Sequence, residues 1–197
     1  MSGKVAVLGA GKVGSTLAQI LMYKQMCDVV LWNRTPERAT GIALDIMESA
    51  PVERFSTRIT ATGELKDVAG CDIVVITAGV PRKEGMSRDD LLKVNSEVIG
   101  SICGSIKSYA PNSIIIVLTN PLDPMVYLTK KVTGFDKKSV IGMAGELDSA
   151  RFAAFISAQT GGERQGHISP CAWKPWGYHG PDDKVHDGWR SLGFRTH

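Results

Sequence analysis

Six residues near the start of the chain have the spacing that phosphate chemistry needs. Gly9-Ala10-Gly11-Lys12-Val13-Gly14 is a G-x-G-x-x-G run that overlaps the end of the apolar stretch KVAVLG (4–9). After a strand and before a helix, the first glycine permits a tight turn and the second lets backbone approach a pyrophosphate. The third lets helix and strand pack closely. The helix start then presents free N–H groups and a partial positive charge to the phosphates. Glycines that serve a tight turn alone are the plainer alternative. An acidic residue about 20 positions further on would hold the ribose hydroxyls of NAD, but this chain has Asn33-Arg34-Thr35 there. Without a carboxylate, nothing repels a ribose 2′-phosphate, and Arg34, with Arg38, suits one in a fork. The expected cofactor is NAD or NADP, with NADP tolerated. A solvated Arg34 beside an Asn33 that still serves NAD is the competing reading.

Three further motifs follow in order. GVPRKEGMSRDDLLKVN (79–95) is a polar loop leading into a helix, with Arg82 and Arg88 in the loop. LTNPLD (118–123) puts Asn120 at the carboxyl end of an apolar strand, the edge where open parallel sheets bind ligands. GELDSARF (145–152) sets Asp148 and Arg151 three apart, on neighbouring turns of a helix. Taken singly, each arginine reads as an ordinary solvated charge. Three of them with one amide, ordered around a nicotinamide site, suit a small dianionic acid. Asp148 also suits a helix N-cap.

The elements that must hold these groups alternate. Strands are expected at 4–9, 28–32, 58–62, 72–77, 113–121 and 139–145. Helices are expected at about 13–26, 36–49, 91–109, 125–133 and 148–160. Valine- and isoleucine-rich runs such as DIVVIT and SIIIVLTNP mark strands buried on both faces. In the last helix, Phe152, Phe155 and Ile156 share one face. Strand–helix alternation predicts an α/β, doubly wound parallel Rossmann sheet in the order 3-2-1-4-5-6. The expected domains are a dinucleotide-binding domain over 1–143, the truncated start of a substrate domain over 144–161, and an aberrant tail over 162–197.

Composition narrows the function classes. A net charge of +3 in 197 residues is too small and dispersed to argue for nucleic acid. No apolar run approaches a membrane span, and the N-terminus lacks a signal-peptide pattern. A cytoplasmic chain with reduced thiols is expected, because Cys27, Cys71, Cys103 and Cys171 form no CxxC pair. No metal is expected either. His167, Cys171, His179 and His186 match no zinc-module spacing.

Over 3–161 the ordered motifs resemble the lactate/malate dehydrogenase family, its malate branch above all. The resemblance implies hydride transfer between malate and oxaloacetate, with homo-oligomers usual. It implies that Arg151 grips the carboxylate beside the reacting carbon and that Arg88 polarises the carbonyl oxygen. Arg82 would take the distal carboxylate, a charge that a lactate-type site lacks. It further implies that Asn120 bonds near the reacting oxygen, that Asn95, Leu118, Thr119 and Asn120 line the cofactor, and that the 80–90 loop closes over substrate. Glu84 stands where proline is common in that loop, which should loosen it. A non-catalytic dinucleotide-binding module, or a lactate or other 2-hydroxyacid dehydrogenase, are the alternatives.

One departure is decisive for activity. The resemblance implies that Asp148 orients a catalytic histidine in a downstream G-x-H-G-D motif, and this chain has none: His179-Gly180 is followed by Pro181-Asp182. All four histidines and three of the four tryptophans lie beyond Gly161, where Ile168, Val185 and Leu192 are the remaining large aliphatics. Such a segment buries little apolar surface and is expected to be poorly ordered. The genetic code suggests an origin. Trp173-Lys174 and Trp176-Gly177 each force a glycine codon one nucleotide later. Pro175-Trp176 permits histidine between them, and Gly177-Tyr178 permits aspartate after them. The shifted frame thus admits G-[S/N]-H-G-D, as a frameshift near Gly161-Gly162 would produce. The chain as written is then expected to be inactive or nearly so.

Overall fold

The computed structural model describes residues 3–160. They fall into two compact units, divided between Met143 and Ala144. The aberrant-tail reading of 162–197, and the zinc and frameshift readings with it, lie outside the described residues.

In the first unit six parallel strands are β1 (Gly3–Leu8), β2 (Cys27–Trp32), β3 (Ile59–Thr62), β4 (Ile73–Ile76), β5 (Ile114–Val117) and β6 (Val140–Gly142). Their order is β3-β2-β1-β4-β5-β6, as the alternation predicted. Register is continuous across the centre: Val5 pairs with Val29 on one side and Ile73 on the other. Strand side chains alternate faces, so each run feeds two cores. Ala6, Leu8, Val74, Ile76, Ile115 and Val117 pack beneath Ile99, Ile102, Ile106 and Met125. Val5, Val7, Val29, Leu31 and Val75 face the other way, onto Ala18, Met22, Ala39 and Ile46. The first set of helical partners comes from α4 (Arg88–Tyr109) and α5 (Leu122–Thr133), the second from α1 (Lys12–Tyr23) and α2 (Pro36–Glu48).

Several boundaries differ from the sequence reading. Helix α4 starts at Arg88, three residues before the first apolar residue of its stripe, because Ser87 caps it. The Ser87 hydroxyl accepts from the Asp90 N–H at 3.0 Å, and the Asp90 carboxylate accepts from the Ser87 N–H at 3.0 Å. Arg88 therefore sits on the first helical turn and not in the loop. Helix α5 starts at Leu122, immediately after the Pro121 cap. A short helix α3 (Ala50–Glu53) and a 3-10 turn (Leu65–Val68) fill stretches that carry too little periodicity to read.

The second unit is described through one helix, α6 (Gly145–Thr160). Asp148 lies in its first turn, so it is not the N-cap. Its carboxylate instead meets Arg151 at 3.3 Å, both side chains exposed. Phe155 is 71% exposed, whereas Ser149 is buried.

Candidate functional site

The strand order reverses between β2-β1 and β4-β5, and a cleft of about 420 Å³ opens at the carboxyl edge there. Its floor is the glycine loop. Gly9 adopts φ +122°, a conformation closed to L side chains, and its N–H donates to the Trp32 carbonyl at 2.9 Å. A Cβ on Gly14 would overlap the Gly9 carbonyl oxygen, while one on Gly11 would meet nothing within 4 Å. The third glycine is thus required for packing, and the second faces open space beside the helix start. That combination fits a pyrophosphate laid against the loop. Ala10 is buried, Lys12 is exposed and Val13 is 58% exposed at the start of α1.

One end of the cleft is walled by Trp32, Asn33, Arg34, Thr35 and Arg38. The Asn33 carboxamide ties this wall to the loop. Its Oδ1 accepts from the Ala10 N–H at 3.3 Å, and its Nδ2 donates to the Thr35 carbonyl at 3.0 Å. Arg34 and Arg38 are exposed, and among the described residues no carboxylate pairs with either. The other wall is Thr77, Ala78, Gly79 and Val80, with Val98 from α4. Thr77 and Val98 were not singled out from the sequence. Thr77 follows a strand and could have been read from that position; its hydroxyl donates to the Gly9 carbonyl at 2.9 Å. Val98 has only its helical position to mark it.

The remaining expected residues stand around this wall. Leu118 is half-buried and Thr119 is buried, its hydroxyl donating to the Ala78 carbonyl at 2.7 Å. Asn120 is exposed and joined to Pro121 by a cis peptide. Asn95 does not line the cleft. It is 1% exposed and spends its amide on backbone: the Val80 N–H donates to its Oδ1 at 2.8 Å, and its Nδ2 donates to the Asn120 carbonyl at 2.6 Å. Arg82 is exposed, and its Nε donates to the Met86 carbonyl at 3.1 Å, folding the loop on itself around Gly85. The terminal guanidinium nitrogens stay available for a carboxylate. Asp148 and Arg151 belong to the other unit, where they pair with each other.

Residues 3–142 match the family model for the lactate/malate dehydrogenase NAD binding domain. The chain belongs to the lactate/malate dehydrogenase family. It is 50% identical over 158 residues to a malate dehydrogenase of Geobacter sulfurreducens, a match covering 80% of this chain and 50% of the relative. A malate dehydrogenase of Methanosarcina mazei is 47% identical over 156 residues, covering 79% of this chain and 51% of the relative. The chain thus spans about half the length of these relatives. Among solved structures, Cryptosporidium parvum malate dehydrogenase superposes with a TM-score of 0.80 at 38% identity. It covers 83% of this chain and 52% of the other. The lactate dehydrogenase of the same organism, complexed with lactic acid and β-nicotinamide adenine dinucleotide, gives 0.79 at 36%, with the same coverage. The backbone therefore does not separate the two branches, and side chains must. Among the described residues no helix is long and apolar enough to cross a membrane, and no cluster of metal-ligating side chains occurs.

Proposed function

We propose that this chain carries the dinucleotide half of a malate dehydrogenase, accepting NAD and tolerating NADP. The observation that carries the reading is the cleft itself. A glycine floor opens at Gly11, and Asn33, Arg34 and Arg38 wall one end where a carboxylate would exclude a 2′-phosphate. Bound there, the dinucleotide supplies or accepts the hydride at its nicotinamide ring.

The chain's own residues do the rest. Backbone N–H groups at the start of α1 hold the pyrophosphate. Arg34 and Arg38 hold the ribose end. At the substrate end Arg82 takes the distal carboxylate of a four-carbon diacid, and this charge favours malate over lactate. Arg88 polarises the reacting carbonyl from the first turn of α4, and the Asn120 amide bonds near the same oxygen. Arg151, which belongs to the second unit, is the residue that the family resemblance assigns to the neighbouring carboxylate. Asp148, which pairs with Arg151 here, would orient a histidine in a complete enzyme. The sequence offers no such histidine in the expected motif. Our reading includes a shifted frame beyond about Gly161, which removes that acid/base.

Fluorescence titration of the purified chain tests the cofactor claim. Both NADH and NADPH should bind. Arg34→Ala should weaken NADPH at least about tenfold, the worth of one charge-assisted hydrogen bond, with NADH little changed. No binding of either dinucleotide would reject the reading. Binding of NADH alone would reject the NADP part.

A further inference from the structure

Asn95 is a buried polar side chain that the proposed chemistry does not use, and its bonds reach two segments that the chemistry does use. It sits two turns into α4. Its carboxamide forms a two-bond ring with Val80, accepting from the Val80 N–H at 2.8 Å and donating to the Val80 carbonyl at 3.3 Å. The same Nδ2 donates to the Asn120 carbonyl at 2.6 Å. Val80 is the last cleft-lining residue before the Arg82 loop departs, and Asn120 lies in the turn between β5 and α5. Gly79 is shaped by this contact: a Cβ there would stand 2.6 Å from Thr119 Cγ2 and 3.2 Å from Asn95 Oδ1.

We infer that Asn95 is a positioning residue that locks the Val80 hinge of the arginine loop to the Asn120 turn, so that the nicotinamide end of the cleft is built to one geometry. The chemistry demands an amide. Val80 needs an acceptor for its N–H, while the Val80 and Asn120 carbonyls need a donor. Only a carboxamide offers both from one branch point at this length. An aspartate keeps the shape and the acceptor but turns a negative oxygen toward two carbonyls. The clamp lies on the β4–β5 side of the sheet. A dinucleotide straddling the switch point puts its nicotinamide half on that side and its adenosine half over β1–β2.

This inference rests on the dinucleotide reading, and a pair of ligands separates the two. NADH spans the whole cleft, whereas ADP-ribose lacks the nicotinamide ring and reports the adenosine half. In the full chain, Asn95→Asp should weaken NADH about tenfold and reduce the fluorescence gain of the bound ring. ADP-ribose affinity should be unchanged. Gly79→Ala, which pushes Thr119 and Asn95 apart, should reproduce the same selective loss if Asn95→Asp folds poorly. Ile99→Val, a core reduction on the same helix with no bond to the clamp, should lower thermal stability and alter neither affinity. Equal weakening of both ligands by Asn95→Asp and Gly79→Ala would overturn the clamp and leave an ordinary structural residue. Unchanged NADH binding in both variants would overturn it as well. A wild-type chain that binds neither ligand would overturn the dinucleotide reading, and this inference with it.

Discussion

Gly11 and Gly14 stand three residues apart in one motif, yet their surroundings ask different things of them. A methyl on Gly14 runs into the Gly9 carbonyl, backbone that cannot give way. Gly14→Ala should therefore destabilise the fold by several kcal/mol, in the range of overpacked or strained sites, and abolish cofactor binding. A methyl on Gly11 meets no atom. Gly11→Ala should melt at nearly the wild-type temperature and still bind NADH weakly or not at all, because the methyl enters the space the pyrophosphate needs. Thermal melts beside NADH titrations check both, and a Gly11→Ala variant that unfolds would refute the assignment. Cys103 gives a second test. Burial pushes its thiol up to about 11, with a hydrogen bond from Thr129 opposing. Because the folded thiol holds its proton more tightly than the unfolded one, its stabilising contribution is complete below about 9. It is lost as pH rises from about 9 to about 11. Cys103→Ala should flatten that part of the stability–pH curve, measured by urea unfolding. Native-state alkylation at pH 8, mapped by mass spectrometry, should spare Cys103.

Among the elements, apolar runs were enough to place all six strands, since strands buried on both faces are written as continuous Val/Ile/Leu sequence. Helix starts were harder to read. The α4 stripe begins at Leu91, and periodicity alone begins the helix there. The signal that moves the start to Arg88 is the Ser87–Asp90 capping box, visible as S-x-x-D but outside the apolar pattern. Arg88, the residue proposed to polarise the carbonyl, is thereby held by helix geometry and not by a free loop. Ser87→Ala should cost about 1 kcal/mol of stability by urea unfolding. It should also loosen the position of Arg88. Asp90 ionises more easily than usual because the Ser87 hydroxyl and N–H both bond its carboxylate. Its capping contribution is therefore present at neutral pH and fades as acid protonates it, so the Ser87→Ala difference should shrink at low pH. The Asn95 clamp could not be read from sequence. Its partners lie 15 and 25 residues away, and only the fold brings them together.

For the molecule as a whole, binding and turnover separate. The cleft, its glycine floor and both its walls lie within the first unit, Met1–Met143. The residues proposed to hold the dinucleotide all belong to that unit. On the proposed reading, turnover calls on Arg151 and on a base oriented by Asp148, and the motif that would carry that base is missing from the sequence. Read one nucleotide later, the residues beyond Gly161 that lack it admit it, and the tryptophan codons force its two glycines. The chain as written should therefore bind NADH and reduce oxaloacetate at least about 10²–10⁴-fold more slowly than a complete relative, the usual worth of a positioned acid/base. Restoring the shifted frame after codon 161 should recover oxaloacetate reduction, with pyruvate a poor substrate because of Arg82. Sequencing the gene across that codon and assaying both forms decides it. A shifted frame that stops early, or a restored chain that binds NADH but leaves oxaloacetate unreduced, would defeat the reading of the tail and of the malate site respectively.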